Sequence, residues 1–147
     1  MVVVEGYVLP DDLYYVPEDG VGNSWAKIEP DGTITIGIDD FFQKTVKTIE
    51  YVALPAVGEV VKQMEGFATI EAGKWVGRVP SPISGEVVAV NNEVYKNPKI
   101  INEDPYGKGW LIKVKPTNLE KDLKNLIHGQ EQVKKLIRKS IKKYLMD

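Results

Sequence analysis

Short apolar segments, each ended by glycine or proline, fill the sequence between Tyr51 and Val90 and limit the possible folds more than any other feature. The lengths and spacing of these segments are those of strands rather than of helices. The predicted strands of this region are residues 50–55, 60–62, 66–71, 75–79 and 85–90. Such closely spaced short strands are typical of a compact sandwich or barrel.

Further strands are predicted on both sides of this region, at residues 2–9, 25–29, 33–38 and 110–115. Residues 33–38 alternate almost perfectly between apolar and other side chains, and Pro30, Asp31 and Gly32 separate them from the preceding segment. This arrangement favours a β-hairpin. Residues 91–109 are rich in turn-forming residues and are expected to be mostly loop.

Helical patterns occur once within the β-rich part and again at its end. Residues 39–49 predict a short helix capped by Asp39 or Asp40. After a candidate cap at Asn118, apolar residues recur at helical spacing on both sides of Gly129. These residues are Leu119, Leu123, Leu126 and Ile127, then Val133, Leu136, Ile137, Ile141 and Leu145. We therefore expect a single domain over residues 1–147, mainly β, with a C-terminal helical segment at 118–147.

The net charge of −2 is unevenly distributed along the chain. Residues 130–147 contain six lysines and arginines against Glu131 and Asp147, a balance of +4, which leaves −6 for the rest. The basic segment is interpreted as a solvated helix face or as a surface that steers a partner. An acidic body disfavours nucleic acid as a partner. No apolar run is long enough to span a membrane and no signal peptide is recognisable, so the expected location is the cytoplasm.

Residue types exclude several kinds of chemistry. The chain contains no cysteine, which removes disulfides, thiolate nucleophiles and thiolate metal sites. His128 is the one histidine and is expected at a helix end or on the surface, so a histidine metal cluster is excluded within one chain. The acidic pairs, such as Asp39-Asp40, suit caps and loops better than acid–base catalysis. No catalytic residue and no metal site are predicted.

Lys74 lies between Gly73 and Trp75 at a predicted turn. The surrounding sequence is not a phosphate-binding loop, because Ala68 and Trp75 occupy positions where that motif needs glycine and serine or threonine. Residue type and turn position alone would make Lys74 an ordinary solvated lysine.

Residues 68–90, ATIEAGKWVGRVPSPISGEVVAV, give Lys74 a more specific meaning. The segment resembles the attachment region of the glycine cleavage H-protein family, in which a glutamate lies three residues before a lipoyl-bearing lysine and a Pro-x-Ser-Gly-Glu-Val-Val segment follows. Glu71, Lys74 and the run from Pro82 to Val88 keep this spacing. The resemblance extends over most of the chain, including IEPDGTITIGIDDFFQ, EYVALPAVGEVV and NPKIINEDPYGKGWLIKVKP.

The resemblance implies a lipoyl-domain-like flattened barrel or sandwich, also called a barrel-sandwich hybrid. It also implies that lipoate is attached to Lys74 as N6-lipoyllysine and that the chain is a carrier rather than an enzyme. The residues implied as context for the attachment are Glu71, Gly73, Trp75, Gly77, Pro82, Ser84, Gly85 and Glu86. The implied partners are a lipoate ligase or lipoyl transferase, glycine decarboxylase, aminomethyltransferase and dihydrolipoyl dehydrogenase.

The motif differs from familiar family members beside the lysine. Those members usually have Ser-Val before it and alanine after it, where this chain has Ala72-Gly73 and Trp75. The stretches PDDLYY and GKWVG look more like lipoate-binding proteins that serve a sulfur-oxidising, heterodisulfide-reductase-like complex. A carrier for that complex is therefore the alternative, and an unmodified regulatory or scaffold protein is a third reading. A biotin carrier is less favoured, because methionines usually flank its lysine. Trp75 is expected either to contact partners or to pack on the carrier itself.

Overall fold

The computed structural model describes residues 1–17 and 22–145. Within these ranges, six strands form one antiparallel sheet, here called the larger sheet, in the order β3-β4-β5-β11-β10-β7. The strands in that order are Tyr14–Tyr15, Ser24–Ile28, Ile34–Ile38, Ile112–Pro116, Gly85–Val90 and Val60–Val61. The predicted hairpin around Gly32 is confirmed as β4 and β5, and Ala26 pairs with Ile36 at its centre.

A second antiparallel sheet in the described part of the chain contains three strands in the order β6-β8-β9 and is here called the smaller sheet. Its strands are Tyr51–Ala53, Gly66–Ala72 and Trp75–Pro80. Ile70 of the smaller sheet and Ile36 of the larger sheet are both completely buried in one hydrophobic cluster. The β-rich fold predicted from the spacing of the short segments is therefore confirmed.

The N-terminal segment folds differently from the prediction. Residues 2–9 were expected to be one strand, but they form a hairpin of β1 (Val2–Val4) and β2 (Tyr7–Leu9). Glu5 and Gly6 make the turn with positive φ angles of 50° and 86°. Glycine adopts such angles readily, so Gly6 lets an apolar run reverse direction where its periodicity gives no sign of a turn.

The helix after β5 forms as α1 (Asp40–Val46), a few residues shorter than predicted. Asp39 is its N-cap, and its buried carboxylate accepts the backbone N–H of Phe42 at 2.7 Å. The N–H of Asn23 also donates to this carboxylate, at 3.2 Å. Burial nevertheless raises the pKa of Asp39 to about 7. Asp39 thus has the capping role predicted for one of the pair, and Asp40, in the first turn, forms an ion pair with Lys44 at 3.0 Å.

The stretch predicted to be mostly loop contains two short helices, α2 (Glu93–Lys96) and α3 (Ile100–Glu103). The rest of the stretch is turn and irregular structure, so the prediction of mostly loop is confirmed. The two helices have no sign in the sequence, because four residues are too few to show a helical period. Asn91 fixes one end of the stretch, because its side chain donates to the carbonyl oxygens of Lys108 and Trp110 at 2.8 and 2.7 Å.

The C-terminal segment forms α4 (Leu119–Leu123) and α5 (Gln130–Leu145). Asn118 precedes α4, but its side chain makes no capping hydrogen bond. Ile127 lies beyond α4 and pairs with Tyr15 in an isolated β-bridge, so the predicted common helical face ends earlier than its spacing suggested. His128 is exposed and stacks on Tyr14 with ring centroids 3.9 Å apart, which agrees with the predicted surface position.

Helix α5 packs its apolar face on the β-rich body, as predicted. The buried apolar residues of this face are Val133, Leu136, Ile137 and Ile141. They belong to a second hydrophobic cluster that also contains Val2 and Trp25. The opposite face exposes Lys135, Arg138, Lys139 and Lys142, and Asp147 lies outside the described residues. Among the described residues, no helix is long and apolar enough to cross a bilayer.

Replacing Ile137 with aspartate should reduce the free energy of unfolding by about 3 kcal/mol or more, because it removes buried apolar contacts and places a carboxylate among them. The control Lys139→Asp puts the same carboxylate on the exposed face of α5 and should change stability by only about 0.5 kcal/mol. Chemical denaturation of both variants measures the difference. Equal stability of Ile137→Asp and the parent chain would contradict the packing of α5.

Candidate functional site

Lys74 occupies the tip of the hairpin formed by β8 and β9. Ala72 pairs with Trp75, so Gly73 and Lys74 alone form the turn. Gly73 has a φ of 61°, and a glycine with positive φ at the first of two loop positions is typical of a type II′ turn. The Lys74 side chain is exposed, as the sequence predicted. The backbone therefore presents this amine at the end of a rigid two-stranded ribbon.

Glu50 holds the turn from the neighbouring strand end. Its backbone N–H donates to the carbonyl oxygen of Glu71 at 2.9 Å, and its carboxylate accepts the N–H of Gly73 at 2.6 Å. These two bonds connect Glu50 to the end of β8 and to the first residue of the turn. Sequence analysis did not identify Glu50, because the pairing that brings residue 50 beside residue 73 depends on the sheet order.

The Trp75 ring turns inward from the tip and packs on its own protein. It meets Phe42 of α1 edge to face, with ring centroids 5.6 Å apart. It also covers Gly77, where an added Cβ would lie 2.5 Å from the Trp75 ring. Gly77 is therefore required by the position of the ring, and the packing role of Trp75 is supported by its contacts.

A groove of about 520 Å³ opens beside Lys74. The hairpin tip forms one wall and the end of α1 with the residues after it forms the other. Its lining residues are Thr45, Val46, Lys47, Thr48, Glu50, Ala72, Gly73, Lys74 and Trp75. The Thr45 hydroxyl is buried and has no hydrogen-bond partner among the described residues. The groove thus combines the Trp75 indole ring with polar side chains from the end of α1 and from the hairpin tip.

Lys47 ends α1 at the edge of this groove with an uncommon backbone conformation, φ 69° and ψ −141°. Asn102 supports this conformation, because its side-chain amide donates to the carbonyl oxygen of Lys47 at 2.6 Å and its Oδ1 accepts the N–H of Ile49 at 2.9 Å. The chain can therefore leave α1 sharply and return to the hairpin tip at Glu50.

The predicted attachment motif is divided between two places. Glu71, Gly73, Trp75 and Gly77 surround Lys74, but residues 82–86 follow the far end of β9. Since β9 contains 6 residues, it separates the two groups by roughly 20 Å at about 3.3 Å per residue.

The distant half of the motif connects the larger sheet to α4. The N–H of Ser84 donates to the Asp122 carboxylate at 2.8 Å, and the Ser84 hydroxyl accepts the N–H of Gln63 at 2.9 Å. A Cβ at Gly85 would lie 2.3 Å from the carbonyl oxygen of Lys115. Pro82 offers its carbonyl to the Gln63 side chain, and Glu86 is exposed on β10. These contacts give this half a structural role in the fold.

Other chemistry finds little support in the described residues. No group of three or more acidic or histidine side chains there could hold a metal ion. Trp25 is 1% exposed, and its Nε1 donates to the carbonyl oxygen of Ile38 at 2.9 Å. Trp25 is therefore a core residue and not a platform for a ligand.

Replacing Trp75 with alanine should reduce the free energy of unfolding by about 2 kcal/mol. This is less than the roughly 3–5 kcal/mol typical of a fully buried tryptophan, because the ring is half-buried. The control Val76→Ala changes an exposed side chain next to it and should alter stability by only about 0.5 kcal/mol. Thermal and urea unfolding measure both variants. If Trp75→Ala is as stable as the parent chain, the ring does not stabilise the fold, and contact with partners would remain as its role.

Comparison with known proteins agrees with this fold. Residues 13–140 match the model of the family described as glycine cleavage H-protein. The chain is 46% identical over 131 residues to glycine cleavage system H protein 2 of Aquifex aeolicus, covering 89% of this chain and 80% of the relative. It is 47% identical over 136 residues to a probable glycine cleavage system H protein 2 of Saccharolobus solfataricus, covering 92% and 90%.

A solved structure is similar as well. The crystal structure of a glycine cleavage system H protein from Mycobacterium marinum superposes with a TM-score of 0.74 at 31% identity, covering 86% of this chain and 98% of that one. The lipoyl-domain-like barrel-sandwich predicted from the resemblance is thereby confirmed. Proteins of this kind are non-catalytic and carry lipoate covalently on a lysine. The match over residues 13–140 and the identity to these relatives show that the chain belongs to the glycine cleavage H-protein family.

Proposed function

We propose that Lys74 is the lysine that carries the lipoyl group and that the chain transports an aminomethyl group between enzymes of glycine cleavage. The observation that supports this most is the exposure of Lys74 on a two-residue turn that Glu50 holds in place. An attaching enzyme can reach an amine in this position. Because Glu50 bonds to Glu71 of β8 and to Gly73 of the turn, the attached arm would start from a defined point.

The residues beside Lys74 fit a lipoyl arm. The groove of about 520 Å³ has room for an aliphatic chain along the Trp75 ring. The lipoyl group, when attached, supplies the disulfide that accepts and releases the transferred group, while the protein positions it.

The names of the relatives support glycine decarboxylase, aminomethyltransferase and dihydrolipoyl dehydrogenase as partners. A lipoate ligase or lipoyl transferase would load the chain, and we place this cycle in the cytoplasm. The alternative partner is a heterodisulfide-reductase-like complex of sulfur oxidation, which the residues flanking Lys74 favour. We further propose that residues 1–147 act as a single carrier domain.

Coexpression of the chain with lipoate ligase in the presence of lipoate should add the mass of one lipoyl group, and peptide mapping should place it on Lys74. Lys74→Arg keeps the charge but removes the primary amine, so this variant should remain unmodified. Lys47→Arg is the matched control at the same groove and should be modified fully. A complete adduct on Lys74→Arg would refute the assignment.

The loaded protein then distinguishes the two pathways. Exchange of the glycine carboxyl carbon with bicarbonate by glycine decarboxylase should depend on the lipoylated chain and disappear for Lys74→Arg. Activity only with the heterodisulfide-reductase-like complex would instead assign the chain to sulfur oxidation. A scaffold role would be supported by two results together. Protein isolated from its native host would carry no added lipoyl mass, and the chain loaded with lipoate would be inactive with both sets of partners.

Glu50→Ala should slow lipoylation of Lys74 by about fivefold, because the lost hydrogen bond to Gly73 is worth roughly 1 kcal/mol in holding the turn. Glu50→Gln keeps an oxygen acceptor at the same place and should stay within about twofold of the parent rate. Initial rates at low carrier concentration, followed by intact mass, measure both. Equal slowing of the two variants would indicate that the charge of Glu50, rather than its contact with the turn, matters.

A further inference from the structure

Helix α5 has a row of cations on the face that is turned away from the protein body. Their spacing of three and four residues places them on one side of the helix, and each of them is exposed. From its first to its last residue the row extends about 10 Å, at roughly 1.5 Å per residue. We call this row the basic stripe, and its members are Lys135, Arg138, Lys139 and Lys142.

The fold does not account for the basic stripe. Among the described residues, no carboxylate forms an ion pair with any cation of the stripe. The helix itself contains a single acidic residue, Glu131 in its first turn. Like charges three and four residues apart weaken a helix. The stripe therefore does not serve the stability of α5, and its charges are available to a partner.

A groove of about 320 Å³ lies beside two members of the basic stripe and is here called the α5 groove. Its lining residues are Pro17, Ile127, Gln132, Lys135, Leu136 and Lys139. Leu136 is only 5% exposed and gives the groove an apolar floor, whereas the two lysines are exposed at its rim. A hydrophobic side chain can enter this space while a carboxylate beside it pairs with the lysines.

The charge of the basic stripe is opposite in sign to that of the rest of the chain. Residues 130–147 have a balance of +4, and the remaining residues have a balance of −6. A negatively charged partner is therefore repelled by the body and attracted at α5, which sets the orientation in which it binds. The α5 groove adds an apolar contact beside these charges, so the surface suits a partner that has groups of both kinds.

We propose that the basic stripe and the α5 groove form a docking surface for an acidic segment of a partner protein. Carboxylates of the segment pair with the stripe, and one large apolar side chain between them enters the α5 groove. None of the residues involved lines the groove beside Lys74, so docking uses no group of that site. The proposal does not depend on the modification of Lys74.

A lipid bilayer and nucleic acid fit this surface less well than an acidic protein segment does. A helix that binds a bilayer inserts its apolar face, but the apolar face of α5 is buried against the protein body. Nucleic acid would extend its phosphates past the basic stripe and over a body of net negative charge. A phosphate backbone also supplies no apolar side chain for the α5 groove.

The test uses a short fluorescein-labelled peptide of glutamates around one central phenylalanine, and fluorescence anisotropy measures its binding to the full chain. Lys135→Gln/Lys139→Gln removes two cations at the rim of the α5 groove and should weaken binding about tenfold. Lys62→Gln/Lys115→Gln is the matched control and should stay within about twofold of the parent chain. It removes the same charge from exposed lysines on the β7 and β11 side of the larger sheet, whereas the α5 groove adjoins β3 at the other edge.

Two further readouts locate the binding. A peptide with serine in place of the phenylalanine should bind the parent chain about fivefold more weakly, because it leaves the α5 groove empty. In an NMR titration with the phenylalanine peptide, backbone amide shifts should change along α5 and at Ile127. These changes should be lost in Lys135→Gln/Lys139→Gln, while the rest of its spectrum shows that the fold is intact.

Several results would overturn the proposal. If the parent chain does not bind the peptide, if both double variants weaken binding equally, or if phenylalanine gives no advantage over serine, no docking surface of this kind exists. Tighter binding to phosphatidylglycerol vesicles or to a DNA duplex, lost in Lys135→Gln/Lys139→Gln, would assign the basic stripe to a membrane or to nucleic acid instead.

Discussion

The antiparallel pairing of β8 with β9 is the constraint on which the site depends. Closing this ribbon in two residues fixes Ala72 opposite Trp75 and leaves Lys74 no position other than the tip. The register also decides which side chains point inward. A slip by one residue would exchange the two faces, placing Trp75 in solvent and Val76 against Phe42. Gly73 matters here because its positive φ allows the short turn.

Helix α1 and its exit complete the site from the other side. The helix begins at a buried carboxylate and ends at Lys47, whose conformation Asn102 supports. This path returns the chain to Glu50, where one residue bonds to both Glu71 and Gly73. The groove is therefore a consequence of how α1 leads into the smaller sheet. The lining residues come from α1, from the segment after it and from the hairpin of β8 and β9. The edge-to-face contact between Trp75 and Phe42 connects this hairpin to α1.

The attachment motif combines residues with different physical tasks. Around Lys74 they shape the turn and its two faces, whereas Ser84 connects the larger sheet to α4 and Gly85 lets β10 approach β11 closely within that sheet. Ser84 supplies both a donor and an acceptor, and Gly85 permits a backbone approach that any side chain would block. Spacing along the sequence gives one motif, but only part of it lies close to the amine.

The sequence by itself determined the β-rich class, the hairpin around Gly32, the apolar face of α5 and the turn position of Lys74, because each depends on local periodicity or on turn residues. It missed the turn within residues 2–9 and the two short helices within residues 91–109, because one glycine turn and four-residue helices leave little periodic signal. Only the tertiary structure placed Glu50 beside the turn and Thr45 in the lining of the groove. These neighbours come from strand pairing and helix packing between distant segments, which the order of residues along the chain does not reveal.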